Sequence, residues 1–314
     1  YDFHISEDGP KLIEINTNAG GAFLVSELQR ATAKQAEACG DARLADSDAI
    51  DAGIVESFIS EWQATGREGR PGPLAILDQA ASEQNVYPDM LLAKDLLARN
   101  GIETLILDPE ALTYENGDLA HGGRAIDMVY NRLTDFDLSE PGHAHLRAAL
   151  LDEAVVISPA PRHHALYANK RNLIWLSDPD SLKSFGADDA DRQVLAAIPD
   201  TRRVTEDVAD ELWATRRGYF FKPAAGFGSR AAYRGDKLTK RVWSAILEGD
   251  YIAQALVPPT VRAVTVDQEP VTLKYDVRLY TYAGKTLLLA ARVYQGQTTN
   301  FRTSGGGFAP VYQF

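Results

Sequence analysis

The stretch that decides the fold is "YDFHISEDGPKLIEINTNAGG", residues 1–21. Asp8-Gly9 lies between two runs of alternating character, which predicts a hairpin of "YDFHI" and "KLIEIN". Side chains alternate along a strand, so Leu12, Glu14 and Asn16 face one way and Ile13 and Ile15 the other. In the first run Phe3 and Ile5 form the apolar face, with Asp2 and His4 opposite. If the apolar faces agree, the hairpin gathers Asp2, Glu14 and Asn16 near its open end. A slip of one residue sends Asp2 to the core side instead. Three hard oxygen donors suit Mg²⁺, which takes one or two protein carboxylates plus substrate phosphates. A solvated polar face is the plainer alternative. Against it stands "NAGG", whose glycines let the backbone approach a ligand closely.

The surrounding chain bounds the answer. Its 314 residues are 45% hydrophobic and 24% charged, an ordinary globular composition with length for about two domains. No apolar run approaches the ~20 residues a membrane span needs, and a signal peptide is not expected. A net charge of −12 argues against general nucleic-acid binding and leaves room for a local basic pocket. The single cysteine, Cys39, excludes an internal disulfide framework and suits a reducing, cytoplasmic setting. It reads as a small residue near a helix end. The chain opens inside a strand at Tyr1, so residues upstream of it are expected.

Helical spacing predicts helices over 24–46 and 48–65, after which "GREGRPGP" (66–73) marks a boundary. An α/β segment follows: a buried strand at 74–79, a helix at 89–101 ended by glycine, and strands at 102–108 and 128–133. This order predicts a small parallel sheet. With no G-x-G-x-x-G between first strand and helix, it is no dinucleotide-binding unit. "VVISPAP" (155–161) and helical residues around 164–176 come next. From Tyr219 onward short strands dominate, interrupted by a helix at 237–247. There is no internal repeat.

Two further constellations carry chemistry. In "YFFKPAAGFGSRAAYRG" (219–235) a strand ends at Lys222, Pro223 stops the ladder, and Gly226, Gly228 and Ser229 make a flexible turn. Glycine-rich amides beside a lysine suit a polyphosphate. The strand-like "AAYRG" that follows favours a hairpin flap over a dinucleotide turn, which needs a helix there. An ordinary surface hairpin fits as well. In "LKYDVRLY" (273–280) Lys274, Asp276, Arg278 and Tyr280 share one face, and "AARVYQGQTTNFRTSGGG" (290–307) adds Arg292, Asn300, Arg302 and glycines. Arginines on strands beside a glycine loop suit a transferring phosphoryl group or an acyl phosphate. A salt-bridged sheet face is the alternative. "YIAQALVPP" (251–259) can form an adenine slot through its backbone, or belong to the core. "AGKT" (283–286) imitates a Walker A end, but Leu279 stands where the first glycine belongs, so it reads as a hairpin turn. His143, His145, His163 and His164 lack partners at zinc spacing and read as structural. No G-x-S-x-G elbow occurs.

Together these segments resemble the ATP-grasp superfamily, especially its glutathione-synthetase-like ligases. "YANKRNL" resembles the family's lysine segment entering the nucleotide domain, and "FFKPAAGFGS" its lysine strand and flap. "YIAQALVPP" is similar to the hinge beside the adenine, "KYDVRLYTYAGK" to the Asp-x-Arg strand, and "RVYQGQTTNFRTSGGG" to the Arg…Asn/Arg…Gly-Gly stretch. "YDFHISEDGPKLIEINTNAGG" resembles the metal motif, an Asp followed on the next strand by Glu-x-Asn. The resemblance implies an α/β fold (α+β in the ATP domain), an ATP-grasp with a small parallel-sheet domain ahead of it. It implies Asp2, Glu14 and Asn16 as Mg²⁺ ligands. Lys170, Lys222, Gly226, Gly228, Ser229, Gln254, Ala255, Val257 and Lys274 would bind ATP, and Arg278, Arg292 and Arg302 would act in catalysis. In most relatives Glu-x-Asn comes last; here it comes first, the order of a circularly permuted, glutathionylspermidine-synthase-like member. No acidic residue after Gln254 presents itself for the ribose.

The expected organisation is a permuted C-terminal part at 1–65, a substrate-binding α/β domain at 73–160 and an ATP-binding domain at 161–314. The expected activity is ADP-forming carboxylate–amine ligation through an acyl phosphate on an amino acid or small peptide-like substrate. The alternatives are a phosphotransferase without amine ligation and a non-catalytic ATP-binding protein. Expected partners are small-molecule carboxylates and amines, not nucleic acid or membrane; a homodimer is compatible with this reading. Asn131-Arg132, at a strand's carboxyl end, read equally as substrate contacts and as structural residues.

Overall fold

The computed structural model describes residues 1–38, 43–226, 231–266, 268–297, 299 and 301–312. Cys39 lies outside them. The opening hairpin pairs β1 (Asp2–Ser6) with β2 (Gly9–Glu14), antiparallel, around a turn closed by Gly9 at φ 97°. Because β2 ends at Glu14, strict alternation stops there. Leu12 and Ile15, expected on opposite faces, therefore pack in one cluster with Phe3, Leu173 and Ile252.

Helices α1 (Ala22–Glu37) and α2 (Ser47–Ala64) follow, α2 capped by the Asp46 side chain, which accepts from the Asp48 amide. The α/β segment is β3 (Leu74–Leu77), α3 (Tyr87–Arg99) and β4 (Thr104–Leu107), with Gly101 at φ 78° just past the helix end. A meander that the spacing did not signal comes next: β5 (Thr113–Glu115), β6 (Asp118–His121) and β7 (Arg124–Ala125). Its first turn is Asn116-Gly117, at φ 54° and 88°. Two successive positive φ values are what a tight two-residue hairpin demands.

Then β8 (Met128–Asn131), α4 (Ala144–Leu151) and β9 (Val156–Ser158) complete a parallel sheet in the order β4-β3-β8-β9. Every residue of β3, "LAIL", is buried, as in a strand covered on both faces. Leu77, Val129, Leu133, Leu146 and Ile157 share its core. The chain runs from β3 out to β4 and returns past β3 to β8. Strands β3 and β8 thus flank a switch point, where open parallel sheets leave a crevice at their carboxyl ends.

Short helices α5 (Pro161–Tyr167), α6 (Asn172–Leu176), α7 (Pro179–Ser184) and α8 (Asp189–Leu195) lead to β10 (Thr201–Arg203) and α9 (Ala209–Thr215). Strands β11 (Tyr219–Pro223) and β12 (Tyr233–Arg234), helix α10 (Lys240–Glu248) and β13 (Tyr251–Ala255) follow. They form an antiparallel sheet, β10-β13-β11-β12, over a core of Leu212, Phe221, Trp243 and Ile246. The final strands are β14 (Thr260–Val266), β15 (Glu269–Tyr282), β16 (Lys285–Tyr294) and β17 (Gly307–Pro310). They join the opening hairpin in the order β17-β16-β15-β1-β2, with β14 also on β15. The turn read in "AGKT" is there: Ala283-Gly284, both at positive φ, link β15 to β16.

The chain divides into two compact units. One comprises Tyr1–Asn16, Tyr167–Leu279 and Ala290–Ala309; the other Thr17–Leu166, Tyr280–Leu289 and Pro310–Phe314. Among the described residues, no helix is long and apolar enough to cross a membrane.

Candidate functional site

In the first unit, antiparallel pairing sets Asp2 opposite Glu14 on β2 and opposite Arg278 on β15. The register shifts between Asp2 and Phe3, a bulge of the kind that re-aims a side chain. Asp2 is fully buried. Its Oδ1 accepts from Arg278 Nε at 2.7 Å. Its Oδ2 accepts from Arg278 Nη2 and Arg292 Nη2, each at 2.8 Å, and from Asn16 Nδ2 at 3.0 Å. Arg292 Nε donates to Asp276 Oδ1 at 2.6 Å, and Thr299 donates to Asp276 Oδ2 at 2.8 Å. Two carboxylates and two guanidiniums are thereby linked into one buried set. Burial alone would push the Asp2 carboxyl up. The Arg278 hydrogen bonds and charge, with Arg292, hold it down at about 2.

A second cluster stands on β11 and β13. Lys222 Nζ donates to the Ile13 carbonyl at 2.7 Å and to Gln254 Oε1 at 2.8 Å. Gln254 turns its Nε2 to Thr201 Oγ1 at 3.4 Å. Lys170, buried, donates to the Gly226 carbonyl at 3.0 Å and lies 3.1 Å from Glu14 Oε1. Its own amide is tied to Ala224 O at 2.9 Å, which fixes where the side chain starts. Burial lowers the Lys222 ammonium to about 8; Glu14 opposes that shift and the Lys170 cation adds to it. Two ammonium groups against one carboxylate leave a local excess of positive charge in a protein of negative net charge.

The remaining sequence-derived residues are placed less centrally. The Ala255 amide donates to Asp200 O at 2.7 Å, and the Val257 carbonyl accepts from His4 Nδ1 at 2.7 Å. Both backbone groups are therefore engaged within the protein. Lys274 Nζ donates to the Gly296 carbonyl, and Arg302 is exposed on the loop between β16 and β17. Gly228, Ser229 and Asn300 lie outside the described residues. Sequence reasoning passed over His4, Thr201 and Thr299 as partners. His4 had a signal, its place on the polar face with Asp2; a lone threonine in a loop or at a strand start has none.

In the second unit, Asp78 and Arg132 follow β3 and β8 at the switch point. Arg132 Nη1 donates to Asn18 Oδ1 at 2.9 Å, and its guanidinium carbon stands 5.5 Å from the Tyr130 ring centre. Its Nε is buried without a hydrogen-bond partner, and Arg132 forms no ion pair among the described residues. Gly20 of "NAGG" serves this contact: a Cβ there would fall 2.3 Å from Arg132 Nη2. Asn131 is a structural residue, its Oδ1 accepting from the Leu133 amide at 3.0 Å.

Mg²⁺ can be tested against the residues of the hairpin. Among the described residues, Glu14 Oε2 and Asn16 Oδ1 carry no hydrogen bond, and both are hard oxygen donors. Asp2 differs: its Oδ2 already takes three donors, its Oδ1 takes Arg278 Nε, and the residue is fully buried. Among the described residues, no three His, Cys, Asp or Glu side chains group around a metal position. Glu14 and Asn16 fit the ion; Asp2 does not.

No family model matches the chain, and comparison with curated proteins found no match. Solved structures do resemble it. A glutathione synthetase-like effector from Globodera pallida, in apo form, aligns with a TM-score of 0.60 at 14% identity, over 93% of this chain and 66% of its own. A putative gamma-glutamylcysteine synthetase from Methylobacillus flagellatus aligns with a TM-score of 0.58 at 10% identity, over 99% of this chain and 78% of its own. The chain thus spans 66% of the effector's length. At such identities the likeness concerns architecture alone, and that architecture is the one the resemblance implied. The chain adopts the α/β fold of the glutathione-synthetase-like ATP-grasp proteins.

Proposed function

We propose that the chain is an ATP-dependent, ADP-forming ligase joining a carboxylate to an amine through an acyl phosphate. The observation that carries this reading is that Lys170 reaches Glu14 and Lys222 reaches the carbonyl of the preceding Ile13, in the unit that also holds Arg278 and Arg292. Paired ammonium groups neutralise a polyphosphate, and phosphoryl transfer depends mainly on positioning and charge stabilisation. The substrate carboxylate oxygen attacks the γ-phosphorus and ADP leaves. The amine nitrogen then attacks the acyl carbon, loses a proton, and phosphate departs.

Arg292 suits the charge that develops. Two of its nitrogens are fixed by Asp2 and Asp276, and Nη1 has no partner among the described residues. A donor held in advance costs no reorganisation during reaction, and losing one lowers kcat by about 10²–10³. Glu14 and Asn16 would hold Mg²⁺, whose role is to neutralise the phosphates. No protein nucleophile is needed. The expected carboxylate is an amino acid or small peptide-like molecule, the partners are small molecules, and the setting is the cytoplasm. We also read the element order, with Glu-x-Asn at the start and its partner strand β15 far along the chain, as circular permutation.

The test is release of ADP and phosphate in Mg²⁺ with pools of amino acids and small peptides, with and without amine, using hydroxylamine as a trap. The expected result is amine-dependent phosphate release with a matching amide. A stable phosphorylated product that needs no amine would identify a phosphotransferase. No ADP with any acceptor would remove the enzymatic reading.

A further inference from the structure

We propose that Asp2 is the positioning residue of the Arg278–Arg292 pair and not a ligand of the metal, so that the opening hairpin offers the cation Glu14 and Asn16 alone among its described residues. The inference rests on the ligase reading solely for the cation's presence at the hairpin.

Acceptor capacity comes first. Asp2 Oδ1 receives Arg278 Nε, while Oδ2 receives Arg278 Nη2, Arg292 Nη2 and Asn16 Nδ2. A metal bond to Oδ2 has to displace a hydrogen bond, two of the three being charge-assisted, the strongest kind a carboxylate makes; at Oδ1 the metal would share the oxygen with the Arg278 cation. Electrostatics points the same way. Mg²⁺ sits about 2.0–2.1 Å from its oxygens. At Asp2 it would therefore lie within roughly 4 Å of guanidinium nitrogens bonded to the same oxygen, a dication against two cations.

Access separates the two carboxylates further. The Asp2 side chain is 1% exposed and that of Glu14 is 29% exposed. Mg²⁺ gives up water reluctantly and keeps several waters when bound. Glu14 leaves room for that shell; Asp2 leaves none. Asn16 also has its amide nitrogen committed to Asp2, which turns its oxygen away from that carboxylate and leaves it for another partner.

What Asp2 does instead follows from the opposite end of the same bonds. Arg292 is held from one side by Asp2 Oδ2 and from the other by Asp276 Oδ1, and Asp276 is itself steadied by Thr299. With Nε and Nη2 committed, the direction of Nη1 is set by two carboxylates. Arg278 meets Asp2 through the planar, two-point geometry that only a guanidinium and a carboxylate share. Asp2 and Asp276 together balance both arginine charges, so the pair can be buried without a metal.

The experiment uses Mn²⁺ as the probe, titrated against the whole chain by electron paramagnetic resonance with and without a non-hydrolysable ATP analogue. Glu14→Gln is expected to weaken Mn²⁺ binding more than thirtyfold and Asp2→Asn less than fivefold. Arg292→Gln, which frees Asp2 Oδ2, is expected to leave it within threefold. In the ligation assay Asp2→Asn should lower kcat, counted per Mn²⁺-binding site so that a smaller folded fraction is removed from the comparison, with the KM for ATP unchanged. The inference is overturned if Asp2→Asn weakens Mn²⁺ as much as Glu14→Gln, or if Arg292→Gln tightens it more than tenfold. Should Asp2→Asn fail to fold, the Arg292→Gln titration still decides. If Glu14→Gln leaves Mn²⁺ binding unchanged, the metal reading of the hairpin falls, and this inference with it.

Discussion

Lys222 is a cation whose surroundings make it less of one. Burial brings its ammonium to about 8, so a substantial neutral fraction is present in mildly alkaline solution. Amine-selective acylation followed by mass spectrometry should label Lys222 with a midpoint near 8, and a bound polyphosphate should move that midpoint up. A midpoint at the ordinary lysine value would sink the assignment. Asp2 carries the opposite sign. Its folded carboxyl titrates at about 2 against an ordinary 3.8, so its contribution is complete above 3.8 and is lost as pH falls toward 2. The stability gap between the native protein and Asp2→Asn should be about 2 kcal/mol or more at neutral pH and narrow across that window, read from urea midpoints. Burial opposes the Arg132 charge, yet Asp89 and Asp78 beside it raise its pKa, so Arg132→Met, which strands those carboxylates and Asn18 Oδ1, should cost about 2 kcal/mol or more in urea unfolding. An unchanged midpoint would show that the guanidinium adds nothing to the fold. At this scale the sequence was half legible. Asp2, Glu14 and Asn16 could be gathered because a hairpin's period of two is local. The bond from Arg292 to Asp2 spans 290 residues and leaves no trace in spacing.

Elements were legible where a strong period met clear punctuation. The parallel segment emerged from buried runs separated by a helix that ends at Asn100-Gly101, and the hairpin turn at Ala283-Gly284 from a glycine between two strands. The meander over residues 113–125 was missed although Asn116-Gly117 stood in it, because its strands are too short to show alternation. Strand β14 was missed for another reason: the pairing that makes 260–266 a strand is supplied by β15. One glycine tests how tightly an element end is built. A Cβ on Gly235 would stand 1.7 Å from the Arg216 carbonyl oxygen, a backbone atom with nowhere to go. Gly235→Ala should therefore cost about 3 kcal/mol or more in thermal or urea unfolding. An unchanged midpoint would mean that the turn before α10 can open freely.

Over the whole molecule, the feature that composition could not show is that one compact unit draws on three separate stretches, Tyr1–Asn16, Tyr167–Leu279 and Ala290–Ala309. Removing the first stretch takes away β1 and β2, unpairs β15 at Val277 and Arg278, and uncovers the apolar residues Leu173 and Ile252 that Phe3 and Leu12 pack against. A protein of residues 17–314 should show lowered solubility and an early unfolding transition. A synthetic peptide of residues 1–16 added in trans should restore both, as read by light scattering and calorimetry. Failure of the peptide to act would show that the hairpin adds little to the sheet.

The pairing of Asp2 with Arg278 also has a temporal side. The two residues are 276 positions apart. At about 5–20 residues per second, a ribosome completes the partner strand roughly 14–55 s after releasing the hairpin. For that interval the nascent chain carries Asp2 without its arginines and a short, polar-faced hairpin with one side unclaimed. Asp2 is made long before the arginines that fix it, and it reaches its final neighbours only after β15 and β16 have been translated.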